Sequence, residues 1–249
     1  MQFAFRDQVI TVNRPSRAGL MADIRQKLEA REGFALATIN LDHIVKMNAS
    51  PAFTEAYAAQ DLVIADGWPI VTLSRIARQP VDLMPGSELI VPLCKLAAET
   101  RRTVAFVGST DNTLSKAAQT LMADIPGLTV AYTHAPPMGF DPQGEAAAQI
   151  CADLKAQGIG LCFLALGAPK QETFAARARG LAPETGFASI GAGLDFIAGQ
   201  QRRAPLWVRK LKMEWLWRAL SSPLRLGPRY VKCLAVLPGR MLEARRNRA

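Results

Sequence analysis

One short stretch carries the residue types that acid–base chemistry requires. Asp66 directly follows the apolar run Leu62–Ala65 and precedes Gly67. A carboxylate at the mouth of a buried strand is partly desolvated, which raises its pKa toward that of a useful general base. Gly67 has no side chain, so a substrate could approach the backbone closely there. The alternative is that Asp66 caps a helix beginning at Trp68.

A second stretch is suited to binding an anion. It follows a strongly apolar segment, opens a helical pattern, and reads Gly167-Ala168-Pro169-Lys170-Gln171-Glu172. Free N–H groups at the helix start and the ammonium of Lys170 would form a site for a nucleotide diphosphate. Pro169 is tolerated because an early helical N–H is unsatisfied in any case. The alternative is an ordinary turn in which Glu172 favours the helix N-terminus.

Polar residues and glycines follow other predicted strands. Thr38 and Asn40 are two residues apart, so both side chains point to one face and could hold a sugar or base. Their alternative is a turn capped by Asp42. The turn after Val107 lacks the Gly-x-Gly-x-x-Gly fingerprint of dinucleotide-binding proteins. The remaining candidates for substrate binding in the predicted turns are Gly108, Gly191 and Asp195.

These positions need a parallel sheet to bring them together. Short apolar strands alternate with longer helical patterns through residues 1–199, which predicts a Rossmann-like α/β core with crossover helices. In such sheets the ligand crevice lies outside the carboxyl ends of the strands. The predicted strands are Phe3–Val12, Phe34–Asn40, Asp61–Ala65, Thr103–Val107, Leu128–Thr133, Ile159–Leu166 and Phe187–Ile190.

The C-terminal appendage, residues 200–249, has a different charge from the core. It contains 13 lysines and arginines against two acidic residues, whereas the other residues have 17 basic and 19 acidic groups. This asymmetry indicates an anionic partner: nucleic acid, an acidic membrane surface or a phosphorylated substrate. Prolines are predicted to divide the appendage into short helices, at Pro205, Pro223, Pro228 and Pro238.

The appendage also carries three tryptophans, Trp207, Trp215 and Trp217, on a helical pattern with two apolar sides. Both apolar sides of such a helix must be buried. We expect one side to pack on the core and the other to face a membrane or another subunit of a homo-oligomer. The chain has no Asp-x-Asp pair, so we expect no metal and no other cofactor. Basic groups would then meet the charge of a leaving phosphate, and the appendage candidates are Arg202, Arg203, Arg218 and Arg225.

The remaining features indicate a cytoplasmic protein. The cysteines have no Cys-x-x-Cys spacing and lie in apolar runs, which predicts buried free thiols. The N-terminus has no basic leader before a long apolar block, so we expect no signal peptide. Because no apolar run reaches the ~18 residues of a membrane span, any membrane contact is expected to be peripheral. The cysteines are Cys94, Cys151, Cys162 and Cys233.

Taken together, the motifs resemble the WecG/TagA/CpsF family of bacterial glycosyltransferases over roughly residues 5–232. The blocks after Gly199 are the most specific as an ordered set. The motifs are Thr38-Ile39-Asn40, Ala65-Asp66-Gly67, Gly167 to Glu172, Gly191-Ala192-Gly193 with Asp195-Phe196 and Gly199, Arg203-Ala204-Pro205, and Glu214-Trp215 followed by Arg218, Pro223, Arg225, Arg229 and Tyr230.

The resemblance implies an activity: inverting, metal-independent transfer of a hexosyl unit from a UDP-sugar to a polyprenyl-diphosphate-linked acceptor in cell-surface or exopolysaccharide biosynthesis. The sugar would be N-acetylmannosamine, its uronic acid, glucuronic acid or a similar unit. The enzyme would sit peripherally on the inner face of the plasma membrane through its appendage. The family's base falls on Asp66, its polar pocket on Thr38 and Asn40, and its Pro-Lys-Gln-Glu element on Pro169–Glu172.

The sequence departs from the family at Leu83, where members often have a substrate-binding arginine. Arg202, Arg203 or Arg225 would then take over this role. Two other classes stay open from the residues alone. A Rossmann-like nucleotide-dependent oxidoreductase is disfavoured by the absent glycine fingerprint. A non-enzymatic nucleic-acid-binding module would explain the basic appendage, but the appendage tryptophans suit a membrane or subunit contact better, so we expect no nucleic acid.

Overall fold

The computed structural model describes residues 1–200, 217 and 223–248. An antiparallel hairpin, β1 (Gln2–Phe5) and β2 (Gln8–Thr11), precedes a six-stranded parallel sheet. The sheet strands are β3 (Phe34–Ile39), β4 (Leu62–Ala65), β5 (Val104–Gly108), β6 (Val130–His134), β7 (Leu161–Ala165) and β8 (Gly186–Ser189). Their order in space is β4-β3-β8-β7-β5-β6. The predicted Rossmann-like α/β class is confirmed.

Helices connect the strands and cover both faces of the sheet. They are α1 (Arg17–Ala30), α2 (Leu41–Ala49), α3 (Pro51–Ala58), α4 (Trp68–Ile76), α5 (Gly86–Glu99), α6 (Asp111–Asp124), α7 (Glu145–Ala156), α8 (Lys170–Leu181), α9 (Gly193–Ile197) and the C-terminal helix (Pro223–Arg246). Ser16, Ser50 and Thr110 cap α1, α3 and α6 through side-chain oxygens that accept backbone N–H groups. These caps fix where the helices begin.

Both faces of the sheet are buried, which explains its continuous apolar strands. Leu36 of β3 packs in a cluster with residues of α1, α5 and α6, whereas its neighbour Ala37 packs with residues of α2, α3 and α4. Successive side chains of a strand point to opposite faces. Residues of both faces of the inner strands are therefore mostly apolar, and an alternating pattern is not needed there.

Two expectations about the elements are wrong. Phe3–Val12 is a hairpin, because the chain turns at Arg6, which has a φ of 46°, and Asp7. The end of the appendage is one helix of 24 residues that contains Pro228 and Pro238, and not several short helices. Both prolines lie on its exposed side, where water can satisfy the backbone groups that a proline frees.

The C-terminal helix packs directly on the core. Cys233 and Ala244 are buried in the same cluster as α2 and α4 residues. Arg240 donates to the Ala4 carbonyl at 3.0 Å, and its guanidinium lies 4.5 Å from the centre of the Phe5 ring. This packing on one face compensates for the helix bonds lost at the prolines. A division into a core of residues 1–199 and an appendage of residues 200–249 stays a prediction.

Two further sequence-based expectations can be compared with this fold. The four cysteines are free and buried, as predicted. Within the described ranges, no helix is both long and apolar enough to cross a membrane.

Candidate functional site

The carboxyl ends of five adjacent strands bring the predicted residues of the core to one edge of the sheet. β3 and β4 lie on one side of the sheet, β5 and β6 on the other, with β8 and β7 between them. From the middle of the sheet, the chain therefore adds strands first in one direction and then in the other. Such a reversal of strand order opens a crevice at the carboxyl ends of the strands. The turns at this edge contain Asn40, Asp66, Gly108, Gly167 and Gly191.

Asp66 lies at the end of β4, half-buried, and its N–H donates to the Ile39 carbonyl of β3 at 2.8 Å. It does not cap α4: the residue at that position is Gly67, which has no side chain to accept a hydrogen bond. The cap alternative is therefore wrong. Gly67 has a φ of 97°, a backbone conformation that strongly favours glycine. The role of Asp66 as a base stays a prediction.

Asn40 has a structural bond as well as its predicted binding role. Its Oδ1 accepts the N–H of His43 at 3.1 Å and so caps α2. The residue expected to cap this turn, Asp42, lies in the first turn of the helix instead. Thr38 is buried, with its methyl group directed toward Gly86. Asn40 is therefore the more accessible member of the predicted polar pair.

The turn between β7 and α8 separates into an outer and an inner part. Gly167 has a φ of 72°, the Ala168–Pro169 peptide bond is cis, and Lys170 is partly exposed. Gln171 and Glu172 are inside, with 2% and 0% of their surfaces exposed. The outer residues can reach a ligand in the crevice, whereas Glu172 cannot in this conformation.

Gln171 joins two turns of the crevice. Its Oε1 accepts the N–H of Gly191 in the turn after β8, at 3.1 Å, and its Nε2 donates to Glu172 Oε1 at 2.8 Å. The side chain is thereby fixed at both ends of its amide. Gln171 therefore sets the spacing between the β7 and β8 turns, besides its predicted contact with substrate.

A buried polar cluster of Tyr57, His43 and Glu172 was not predicted. Tyr57 Oη lies 3.3 Å from His43 Nδ1, and His43 Nε2 lies 3.8 Å from Glu172 Oε1. Burial lowers the pKa of His43 to about 4 and raises the pKa of Glu172 to about 7. Burial, then the charges of Glu172 and Asp66, raise the pKa of Tyr57. Both His43 and Tyr57 occupy apolar helix faces, so nothing in their spacing indicated a polar site.

Gly108 is required by close packing at the end of β5. Its φ is 118°, and a Cβ atom there would lie 2.4 Å from the Ala165 backbone carbon. The side-chain direction thus faces β7, and a substrate role for Gly108 stays a prediction. Beyond it, Ser109 Oγ donates to Asp195 Oδ1 at 2.7 Å. This bond links the turn after β5 to α9, a short helix that the sequence pattern did not indicate.

The C-terminal helix reaches the same edge through Asp42. Arg229 Nε lies 2.9 Å from Asp42 Oδ1, and Lys46 Nζ lies 2.8 Å from Asp42 Oδ2. Asp42 is buried, so two cations offset the cost of removing its charge from water. This cluster was also missed, because its members are distant in sequence.

Several of the predicted substrate-binding positions cannot be located in the described part of the site or have no polar role there. Arg202, Arg203 and Arg218 lie outside the described residues, as does the side chain of Arg225. Leu83, at the position of the expected arginine, packs against the apolar cluster of α2 and α4. Among the residues that the structure describes, no group of three or more His, Cys, Asp or Glu side chains could hold a metal ion.

A parallel sheet covered on both faces, with polar and glycine-containing turns at its carboxyl ends, defines the Rossmann-like class, whose members typically bind ligands in this crevice. Within that class, residues 8–249 match the model of the family described as glycosyl transferase WecG/TagA/CpsF. The chain belongs to this family. The resemblance noted from the motifs is therefore confirmed over nearly the whole chain.

Two similar proteins share one activity in their names. The chain is 26% identical over 201 residues to an N-acetylglucosaminyldiphosphoundecaprenol N-acetyl-beta-D-mannosaminyltransferase of Bacillus spizizenii, covering 80% of this chain and 75% of the relative. It is 27% identical over 214 residues to a transferase of the same name in Staphylococcus aureus strain MW2, covering 85% and 81%.

Proposed function

We propose that the protein transfers a hexosyl unit from a UDP-sugar to a polyprenyl-diphosphate-linked saccharide, with inversion at the anomeric carbon. The observation that carries this proposal is the convergence of Asp66, Asn40 and the Gly167–Lys170 turn on one crevice in a member of this glycosyl transferase family. The named relatives act on an undecaprenyl-diphosphate-linked acceptor, which supports the acceptor class.

The donor diphosphate is assigned to the turns after β7 and β8. Lys170 opens α8, where backbone N–H groups that lack helical partners favour an anion. Gly167 and Gly191 have positive φ values of 72° and 59°, and a Cβ atom at either would meet nothing within 4 Å. The space beside both backbones is therefore open to a ligand. Arginines of the appendage would complete the charge balance of the departing UDP.

Asp66 is assigned the role of base. It would take the proton of the acceptor hydroxyl as that oxygen attacks the anomeric carbon, while the bond to UDP breaks. Asp66 is half-buried at the end of β4 and adjoins Gly67, where the atom nearest to an added Cβ would be Pro69 Cδ, at 3.7 Å. Asn40, on the neighbouring strand end, would orient the sugar by hydrogen bonding.

The C-terminal helix supports a peripheral position on the cytoplasmic face of the plasma membrane. Its docked face carries Cys233 and Ala244, whereas Leu224 on the opposite side is 95% exposed. Val231, Leu234 and Leu242 are each more than half exposed. An apolar stripe flanked by basic residues is typical of helices that lie in an anionic membrane interface.

The direct test is a transfer reaction. Purified full-length protein would be incubated with a panel of UDP-sugars and a short polyprenyl-diphosphate-linked N-acetylglucosamine, and the products weighed by mass spectrometry. We expect one hexosyl unit to be added from one or a few donors without added divalent metal. Hydrolysis of every donor with no glycolipid product, or no reaction with any donor, would contradict the proposal.

A further inference from the structure

A chain of charged contacts runs from the C-terminal helix to the turn after β7. Arg229 of the C-terminal helix contacts Asp42 of α2 at 2.9 Å, and Asp42 contacts Lys46 one turn later at 2.8 Å. The ammonium of Lys46 also donates to the carbonyl of Ala168 at 2.9 Å. Ala168 lies inside the turn that carries Gly167 and Lys170.

Asp42, the central member of this chain of contacts, has a limited choice of partners. Asp42 is buried, with one carboxylate oxygen near Arg229 and the other near Lys46. Removing Arg229 would leave a buried carboxylate with Lys46 as its remaining cation in this cluster, and an uncompensated buried charge is costly. Lys46 would then be drawn toward Asp42 at the expense of the Ala168 carbonyl.

We propose that Asp42 and Lys46 are positioning residues that couple the docking of the C-terminal helix to the conformation of the Gly167–Lys170 turn. The functional consequence rests on the proposed function, because that turn is the site assigned to the donor diphosphate. When the helix is docked, Lys46 holds the Ala168 carbonyl and the turn is preorganised for the anion. When the helix is displaced, the turn loosens and the donor binds less tightly.

The test compares the loss of two different contacts between the C-terminal helix and the core in the full-length protein, of which only one involves Asp42. Arg229→Gln breaks the contact with Asp42, whereas Arg240→Gln breaks the contacts with Ala4 and Asn48 at the far end of the helix. Hydrogen–deuterium exchange is measured without substrate on peptides covering residues 166–172. We expect exchange there to be about fivefold faster or more in Arg229→Gln and unchanged in Arg240→Gln.

Variants of Lys46 test whether the coupling between the C-terminal helix and the turn passes through this side chain. Lys46→Met should reproduce the faster exchange, Lys46→Arg should restore it toward that of the unmodified protein, and Arg229→Gln with Lys46→Met should add nothing to Lys46→Met alone. In the transfer assay the KM for the donor should rise by about fivefold with kcat changed less. Additive effects, or equal exchange at the turn in Arg229→Gln and Arg240→Gln, would overturn the proposal.

The two proposals fail in different ways. An inactive unmodified protein would remove the transferase assignment but leave the exchange experiment interpretable. An active protein whose turn exchanges at the same rate in every variant would keep the transferase assignment and remove the coupling.

Discussion

The Nε2 atom of His43, in the first turn of α2, lies 3.8 Å from the Oε1 atom of the fully buried Glu172, in the first turn of α8. Burial favours the neutral form of both groups, so their pKa values move in opposite directions, to about 4 for His43 and about 7 for Glu172. The two side chains can therefore lie together with both groups mainly neutral between about pH 4 and about pH 7.

This pair predicts opposing contributions to stability across mildly acidic pH. Because the folded-state pKa of Glu172 is raised, its contribution is complete below about pH 4.5 and is lost as the pH rises to about 7. Because the folded-state pKa of His43 is lowered, its contribution is complete above about pH 6.5 and is lost as the pH falls to about 4. The two slopes largely cancel in the unmodified protein.

Single substitutions should expose each slope. In Glu172→Gln, the free energy of unfolding should rise by about 3 kcal/mol relative to the unmodified protein between pH 4.5 and pH 7, measured by urea denaturation. In His43→Gln, the free energy of unfolding relative to the unmodified protein should fall by a similar amount as the pH rises from 4 to 6.5. If the free energy of unfolding changes with pH in the same way in all three proteins, the pKa values of Glu172 and His43 do not shift on folding as assigned.

Gly108 predicts a large cost for one added methyl group. In Gly108→Ala the new Cβ would meet the Ala165 backbone at 2.4 Å, and backbone atoms cannot yield. We expect a loss of about 3 kcal/mol or more in the free energy of unfolding. Gly158→Ala is the matched control, since Gly158 also has a positive φ but nothing lies within 4 Å. Its cost should be about 1 kcal/mol, and equal losses would refute the packing argument.

The exposed face of the C-terminal helix predicts membrane affinity that can be removed without unfolding. Replacing Leu224, Val231, Leu234 and Leu242 with serine removes apolar side chains that are 95%, 67%, 53% and 56% exposed. Sedimentation with anionic vesicles should weaken by at least about tenfold, since several kcal/mol of apolar transfer is lost, while the unfolding midpoint stays constant.

The control for that experiment removes exposed apolar side chains elsewhere. Val9→Ser with Met138→Ser alters residues that are exposed but lie outside the helix, and sedimentation should not change. If the helix variant still sediments fully with vesicles, the exposed stripe is not the membrane-binding surface.

The sheet could be predicted from the sequence because its strands are short, apolar and buried on both faces. Some helices also begin at a recognisable capping residue, as at Ser16 and Ser50. The β1–β2 turn was missed because the segment around Arg6 and Asp7 contains no glycine or proline, the residues that most strongly mark a tight turn. The unbroken helix through Pro228 depends on tertiary packing, which local propensity does not include.

The strand-end residues of the site, such as Asp66 and Asn40, could be predicted from the sequence. The carboxyl ends of parallel strands lie at the same edge of a sheet, so residues that follow two neighbouring strands lie close together. The inner part of the site could not be predicted. His43 has the appearance of an ordinary residue on an amphipathic helix, and its contact with Glu172 joins residues 129 positions apart. The Asp42–Arg229 pair likewise depends on how the C-terminal helix docks.

The most direct test of the account is the rate of hexosyl transfer by Asp66→Asn, with Asp124→Asn as control. Asp124 ends α6, at the edge of the sheet opposite the crevice. Both variants should keep the unfolding midpoint of the unmodified protein. We expect Asp66→Asn to lower kcat by about 10²- to 10⁴-fold and Asp124→Asn to leave it unchanged. A folded Asp66→Asn protein with nearly normal turnover would contradict the assignment of Asp66 as the base.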